Sequence, residues 1–135
     1  MKELTLDATI ENIIIVTDFV NNELVKMNCS EETIAEIDVA VDEVFGNIAN
    51  YAYNDKIGSV RVCIEIVDNN MVILTFIDNG KEYNPLEKED PDISLSAEER
   101  SIGGLGIYIV KCTMDDVSYE YKDGNNILTI KKRVV

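Results

Sequence analysis

A chain of 135 residues, 46% hydrophobic and 28% charged, has material for one domain with its own core, and its regular patterning excludes disorder. Twelve basic and twenty-six acidic residues give a formal net charge of −14. That balance argues against nucleic acid or an anionic membrane as partner, and favours a basic protein or an anionic ligand met locally by backbone N–H groups and a cation.

Histidine is absent, which removes Ser-His and Cys-His nucleophiles, His-ligated metals and autophosphorylation on histidine. Cys29, Cys63 and Cys112 are odd in number, widely spaced and without a CxxC. They read as reduced, mostly buried thiols of a cytoplasmic protein. No apolar run approaches the roughly 18 residues of a membrane span, and the N-terminus lacks a signal-peptide pattern.

In chain order, Lys2 to Leu6 alternates as a short strand. Asp7 or Thr9 can cap a first helix whose core face is Ile10, Ile13, Ile14, Thr17, Val20, Leu24 and Met27. Ser30 is an N-cap for a second, longer helix running to about Tyr53, with Glu31 and Glu32 suited to the positive end of its dipole. Its stripe is Ile34, Ile37, Val41, Val44, Ile48 and Ala52. A strand at Val60–Ile66 pairs as a hairpin with an apolar, central strand at Met71–Ile77. Lys81 to Ser101 is charged, carries both prolines, and reads as a functional loop, with Ser94–Arg100 holding a helical turn. A short helix through Met114, a strand at Val117–Tyr121, a hairpin turn at Asp123–Asn126 and a last strand at Ile127–Lys132 complete the chain. The order β-α-α-β-β-loop-α-β-β predicts an α+β two-layer sandwich, with helices on one face of a mixed, mostly antiparallel sheet.

Three pieces carry chemistry. Glu43 and Asn47, one helical turn apart, flank the apolar stripe, where they read either as a solvated pair or as groups on a pocket rim. Asp78-Asn79-Gly80 is a hairpin signal, yet a long polar loop follows it. A carboxylate at a strand end can instead accept a hydrogen bond from an exocyclic amine, with Gly80 allowing a flat ring close to the backbone. Gly103-Gly104-Leu105-Gly106 at a helix start is either a hinge or a cradle whose N–H groups converge on an anion. It is neither a Walker A loop nor a dinucleotide fingerprint. Taken together, Asn47 offers oxygen to a hard cation such as Mg²⁺, Asp78 would hold a purine, and the glycines would wrap phosphates.

Glu43-x-x-x-Asn47 with Ala52-Tyr53, then Asp78-Asn79-Gly80, then Arg100-Ser101-x-Gly103-Gly104-Leu105-Gly106 resembles the GHKL ATPases (Bergerat fold). Within them the chain is similar to the anti-sigma factor serine kinases of Gram-positive bacteria, over nearly its whole length. The resemblance implies a single ATPase domain over 1–135 with an ATP lid at about 81–102. It implies Asn47 as Mg²⁺ ligand, Asp78 with Gly80 at adenine, and Gly103, Gly104, Leu105 and Gly106 at the phosphates. It further implies Glu43 as general base and Arg100 by the lid, contacting phosphate or the partner protein. The implied reaction is phosphoryl transfer from ATP to a serine of a STAS-type anti-anti-sigma protein, by a protein that also sequesters a sigma factor. A homodimer using the first helix and strand is implied as well. The chain departs from the pattern at Tyr51 (often histidine), Glu82 (glycine) and Asn126 (about where a threonine supports the base site). The alternative is a nucleotide-gated binding module of the same fold without kinase activity.

Overall fold

The computed structural model describes residues 1–54, 56–87 and 105–134. Strands β1 (Lys2–Asp7), β2 (Ser59–Val67), β3 (Met71–Asp78), β4 (Asp116–Lys122) and β5 (Asn125–Arg133) form one sheet, ordered β1-β2-β3-β5-β4. Helices α1 (Ile13–Val25), α2 (Glu31–Asn47) and α3 (Leu105–Thr113) make the second layer of the expected α+β sandwich. The sheet is more uniform than the expected mixed one, since each neighbouring pair among the described residues is antiparallel.

Period-two alternation builds the core. Val72, Leu74, Phe76 and Asp78 of β3 are buried, and Leu128 and Ile130 lie beside them on β5. The α2 stripe packs onto this face: Ile37, Val41, Val44 and Ile48 are buried, with Ile34 and Ala52 at its ends. Ser30 caps α2 as expected, its Oγ accepting the Thr33 N–H at 3.1 Å.

The first helix departs from expectation. Residues Ile10–Asn12 form a turn of 3-10 helix before α1 begins. The tighter turn changes the angular phase of the chain, so the stripe runs through Ile13, Val16, Val20, Leu24 and Met27. Ile10 and Ile14, expected inside, face out. Neither Asp7 nor Thr9 makes a side-chain cap; Asn12 instead donates to the Asp7 carbonyl. Of the three thiols only Cys63 is buried, while Cys112 is exposed.

Two further differences shape the site. The second helix does not run uniformly to Tyr53: after Asn47 it widens into a π-helical turn, Ile48–Ala52. The last hairpin turn is tighter than expected. Asp123 and Gly124 both take positive φ, 53° and 80°, so Lys122 pairs with Asn125 and β5 starts at once. Asn126, expected in the turn, therefore lies in the strand, opposite Asp78.

Candidate functional site

Between the α2 end and the sheet lies a pocket with about 460 Å³ of open space. Val44, Asn47, Ile48 and Ala52 line it from the helix side, and Phe76, Asp78, Tyr119, Asn126 and Leu128 from the sheet. Lys81, Tyr83 and Pro85 also line it, as does Ile107 of α3. The helix amide and strand-end carboxylate, distant in sequence, thus share one cavity. A mostly apolar pocket with few convergent polar groups is the usual form of a small-molecule site.

Asp78 is buried, 5% exposed. Burial pushes its carboxyl above the usual carboxylate range, while hydrogen bonds from Asn126 and Gly80 pull the other way. Asn126 Nδ2 and the Gly80 N–H both donate to Asp78 Oδ1, each at 2.9 Å. Among the described residues no hydrogen bond reaches Oδ2.

Packing within the chain gives one reason for glycine at position 80. A β-carbon there would sit 2.3 Å from the Ala52 carbonyl oxygen, so the π turn makes a close approach to this residue. Lys81 N–H then donates to that same carbonyl at 3.0 Å. Tyr53 holds the junction from the other side. Its hydroxyl lies 2.6 Å from Ser59 O and 2.8 Å from Asn79 Oδ1, and accepts the Asn79 N–H at 3.1 Å. The wide turn at Ile48–Ala52 delivers both Ala52 and Tyr53 to the Asp78-Asn79-Gly80 corner, a use typical of π-bulges at functional sites.

Glu43 lies one turn before Asn47, and its carboxylate rests against Gly106 in the first turn of α3. Leu105, at the first position of that helix, is 41% exposed. Arg100, Gly103 and Gly104, named from the sequence, lie outside the described residues, as does most of the expected lid. The described part of the lid contains a short turn at Pro85–Glu87.

Sequence reasoning missed Tyr119 and Tyr83 as pocket walls and Asn126 as a core-facing residue. A signal for Asn126 was present: stepping back by twos from Leu128 and Ile130 reaches it on the same face.

No group of three or more His, Cys, Asp or Glu side chains able to hold a metal occurs among the described residues. Asn47 with the nearby Glu43 does suit a hard cation that takes most of its ligands from phosphate and water.

A helix-and-sheet pocket with an amide on one wall and a strand-end acid on the other suits a small ligand with polar edges, and the comparisons with known proteins give the class. The chain belongs to the histidine kinase-like ATPase domain family, which it matches over residues 6–132. It is 26% identical over 133 residues to the serine-protein kinase RsbW of Bacillus thuringiensis (strain Al Hakam), covering 96% of this chain and 82% of that one. RsbW of Bacillus cereus (strain Q1) is similar to the same extent. Among solved structures, the RsbU and RsbW domains of Rv1364c from Mycobacterium tuberculosis superpose with a TM-score of 0.69 at 17% identity. That match covers 99% of this chain and 33% of the other, so the chain spans about a third of that solved chain. The catalytic domain of histidine kinase ThkA matches with a TM-score of 0.57 at 14% identity, covering 99% and 98%. At these identities the structures speak for the fold.

Proposed function

We propose that this protein binds ATP with Mg²⁺ and transfers the terminal phosphoryl group to a serine of a STAS-type anti-anti-sigma protein, and that it also sequesters a sigma factor. The observation that carries the reading is the meeting of Asn47 and Asp78 in one pocket, with the Glu43 carboxylate against the start of α3. Similarity to the RsbW kinases supports the serine as acceptor.

Asp78 accepts the exocyclic amine of adenine. Asn47 would hold Mg²⁺, which would offset the charge of the phosphates beside an acidic protein. The first turn of α3, with Leu105 and Gly106, binds the phosphates, and the resemblance adds Gly103 and Gly104 to that role. Glu43 takes the proton from the serine hydroxyl as its oxygen bonds to the γ-phosphorus, and the bond to the β-phosphate oxygen breaks to release ADP. Arg100 contacts the phosphate or the partner. The net charge of −14 favours a basic partner face. Ile10, Ile14 and Ile15, exposed on or just before the first helix, support a homodimer there. No described helix is long and apolar enough to cross a membrane.

Incubation with labelled ATP and a STAS-domain partner tests the reading. Glu43→Ala should slow transfer by roughly 10²–10⁴ while ATP binding is largely kept. Unchanged transfer removes Glu43 from its role. The second reading, a nucleotide-gated binding module, draws on Tyr51, Glu82 and Asn126 departing from the family pattern. Tight MgATP binding with no labelled partner at any concentration would establish it.

A further inference from the structure

Asn126 is 6% exposed, and every hydrogen-bonding position of its amide is used. Nδ2 donates to Asp78 Oδ1 and to the Lys81 carbonyl, both at 2.9 Å. Oδ1 accepts the Tyr83 N–H at 3.0 Å and the Tyr119 hydroxyl. The set fixes the amide's orientation, because flipping it would turn its oxygen onto the Asp78 carboxylate and its N–H groups onto two donors. A threonine, with one donor, could not serve both Asp78 and Lys81. The amide offers nothing further to a ligand, so its role runs through what it holds.

We propose that Asn126 is a positioning residue for Asp78: it occupies Oδ1, ties that carboxylate to the backbone of Lys81 and Tyr83, and leaves Oδ2 as the one oxygen that meets a base, so that the pocket selects an exocyclic amine over a ring carbonyl. The inference rests on the nucleotide reading above. Geometry carries it, since both donors to Asp78 converge on the same oxygen. Charge reinforces it. An ionised Oδ2 can only accept, and it repels a carbonyl. Asn126 helps hold that ionised form against burial. The titratable groups around Asp78 are Tyr53, Lys81, Tyr83 and Tyr119; Tyr53 and Tyr119 are pushed up by burial and stay neutral through the acid and neutral range.

The test is calorimetric binding of MgATP and of MgITP, which carries a carbonyl where ATP carries the amine. Wild type, Asn126→Leu and Tyr119→Phe are compared over a pH series running upward from the ordinary carboxylate range. Wild type should prefer ATP, and more so as pH rises and Asp78 ionises. Asn126→Leu should cut the ATP-to-ITP ratio by about tenfold or more at the low end of the series and by less at the high end, because losing the amide donor favours the protonated carboxyl, which can donate to the carbonyl. Tyr119→Phe should reduce the ratio by a few-fold, having freed one anchor of the amide. If both variants keep the wild-type ratio and lose affinity for the two nucleotides equally, Asn126 is merely structural and the inference is overturned. Should Asn126→Leu fail to fold, an unchanged ratio in Tyr119→Phe overturns it alone. A wild-type protein that binds neither nucleotide overturns the nucleotide reading itself, an outcome distinct from binding without discrimination.

Discussion

The Glu43 carboxylate occupies the space that a β-carbon on Gly106 would need: such a carbon would sit 2.0 Å from Glu43 Cδ and 2.2 Å from each carboxylate oxygen. The contact couples the proposed base to the first turn of α3. In the wild-type background Gly106→Ala forces the Glu43 carboxylate, the far end of a flexible side chain, to swing aside, and should change stability by no more than about 1 kcal/mol, with slower phosphoryl transfer as the base moves. In a Glu43→Ala background the obstruction is gone, and the same change should be neutral or stabilising by up to about 1 kcal/mol, from helix propensity. Urea unfolding of the four proteins of this cycle measures the coupling, and additive effects would contradict the contact.

Two other glycines should respond with opposite signs. Gly80→Ala places a carbon 2.3 Å from the Ala52 carbonyl oxygen, on backbone that cannot rotate away. A loss of about 1–3 kcal/mol is expected, with weaker MgATP binding as the Asp78 corner shifts. Gly46, inside α2, has nothing within 4 Å of the place a β-carbon would take. Gly46→Ala should stabilise by about 1 kcal/mol. Denaturation midpoints check both, and a stabilising Gly80→Ala would refute the packing described for the π turn.

Asp78→Asn tests the buried acid. Because burial raises the folded-state carboxyl above its unfolded value, ionisation favours the unfolded chain. The stability Asp78 contributes is fully present below the unfolded value and lost as pH rises through the folded one. An amide at this position does not titrate, so the variant's stability relative to wild type should climb as pH rises above the ordinary carboxylate range and level off once the folded-state carboxyl has ionised. Its ATP affinity should fall throughout, since an amide N–H replaces the accepting oxygen. A stability difference that is flat with pH would mean that Asp78 titrates normally.

How far the sequence could be read depended on whether a residue's environment was local. The α2 stripe and the Ser30 cap follow from spacing alone, and both appear as expected. So does the pairing of Asn47 with Asp78 across one cavity, which the motifs implied through resemblance. The face of the first helix did not, because a 3-10 turn inserted before Ile13 rotates everything after it and leaves no mark in an isoleucine-rich run. Asn126 escaped for the opposite reason. Four polar residues after Lys122 look like one loop, and only the positive φ at Asp123 and Gly124 compresses the turn to two. Gly80 is legible as a place of close approach, while its neighbour, Ala52, is set by a helical widening that no periodicity shows.

The chain holds six tyrosines and no tryptophan, and two of those rings, Tyr83 and Tyr119, form walls of the pocket. Ultraviolet emission from the unlabelled protein therefore comes from phenols alone. A purine arriving beside Tyr83 and Tyr119 will quench part of that light, giving a direct optical titration of occupancy without dye, tag or isotope.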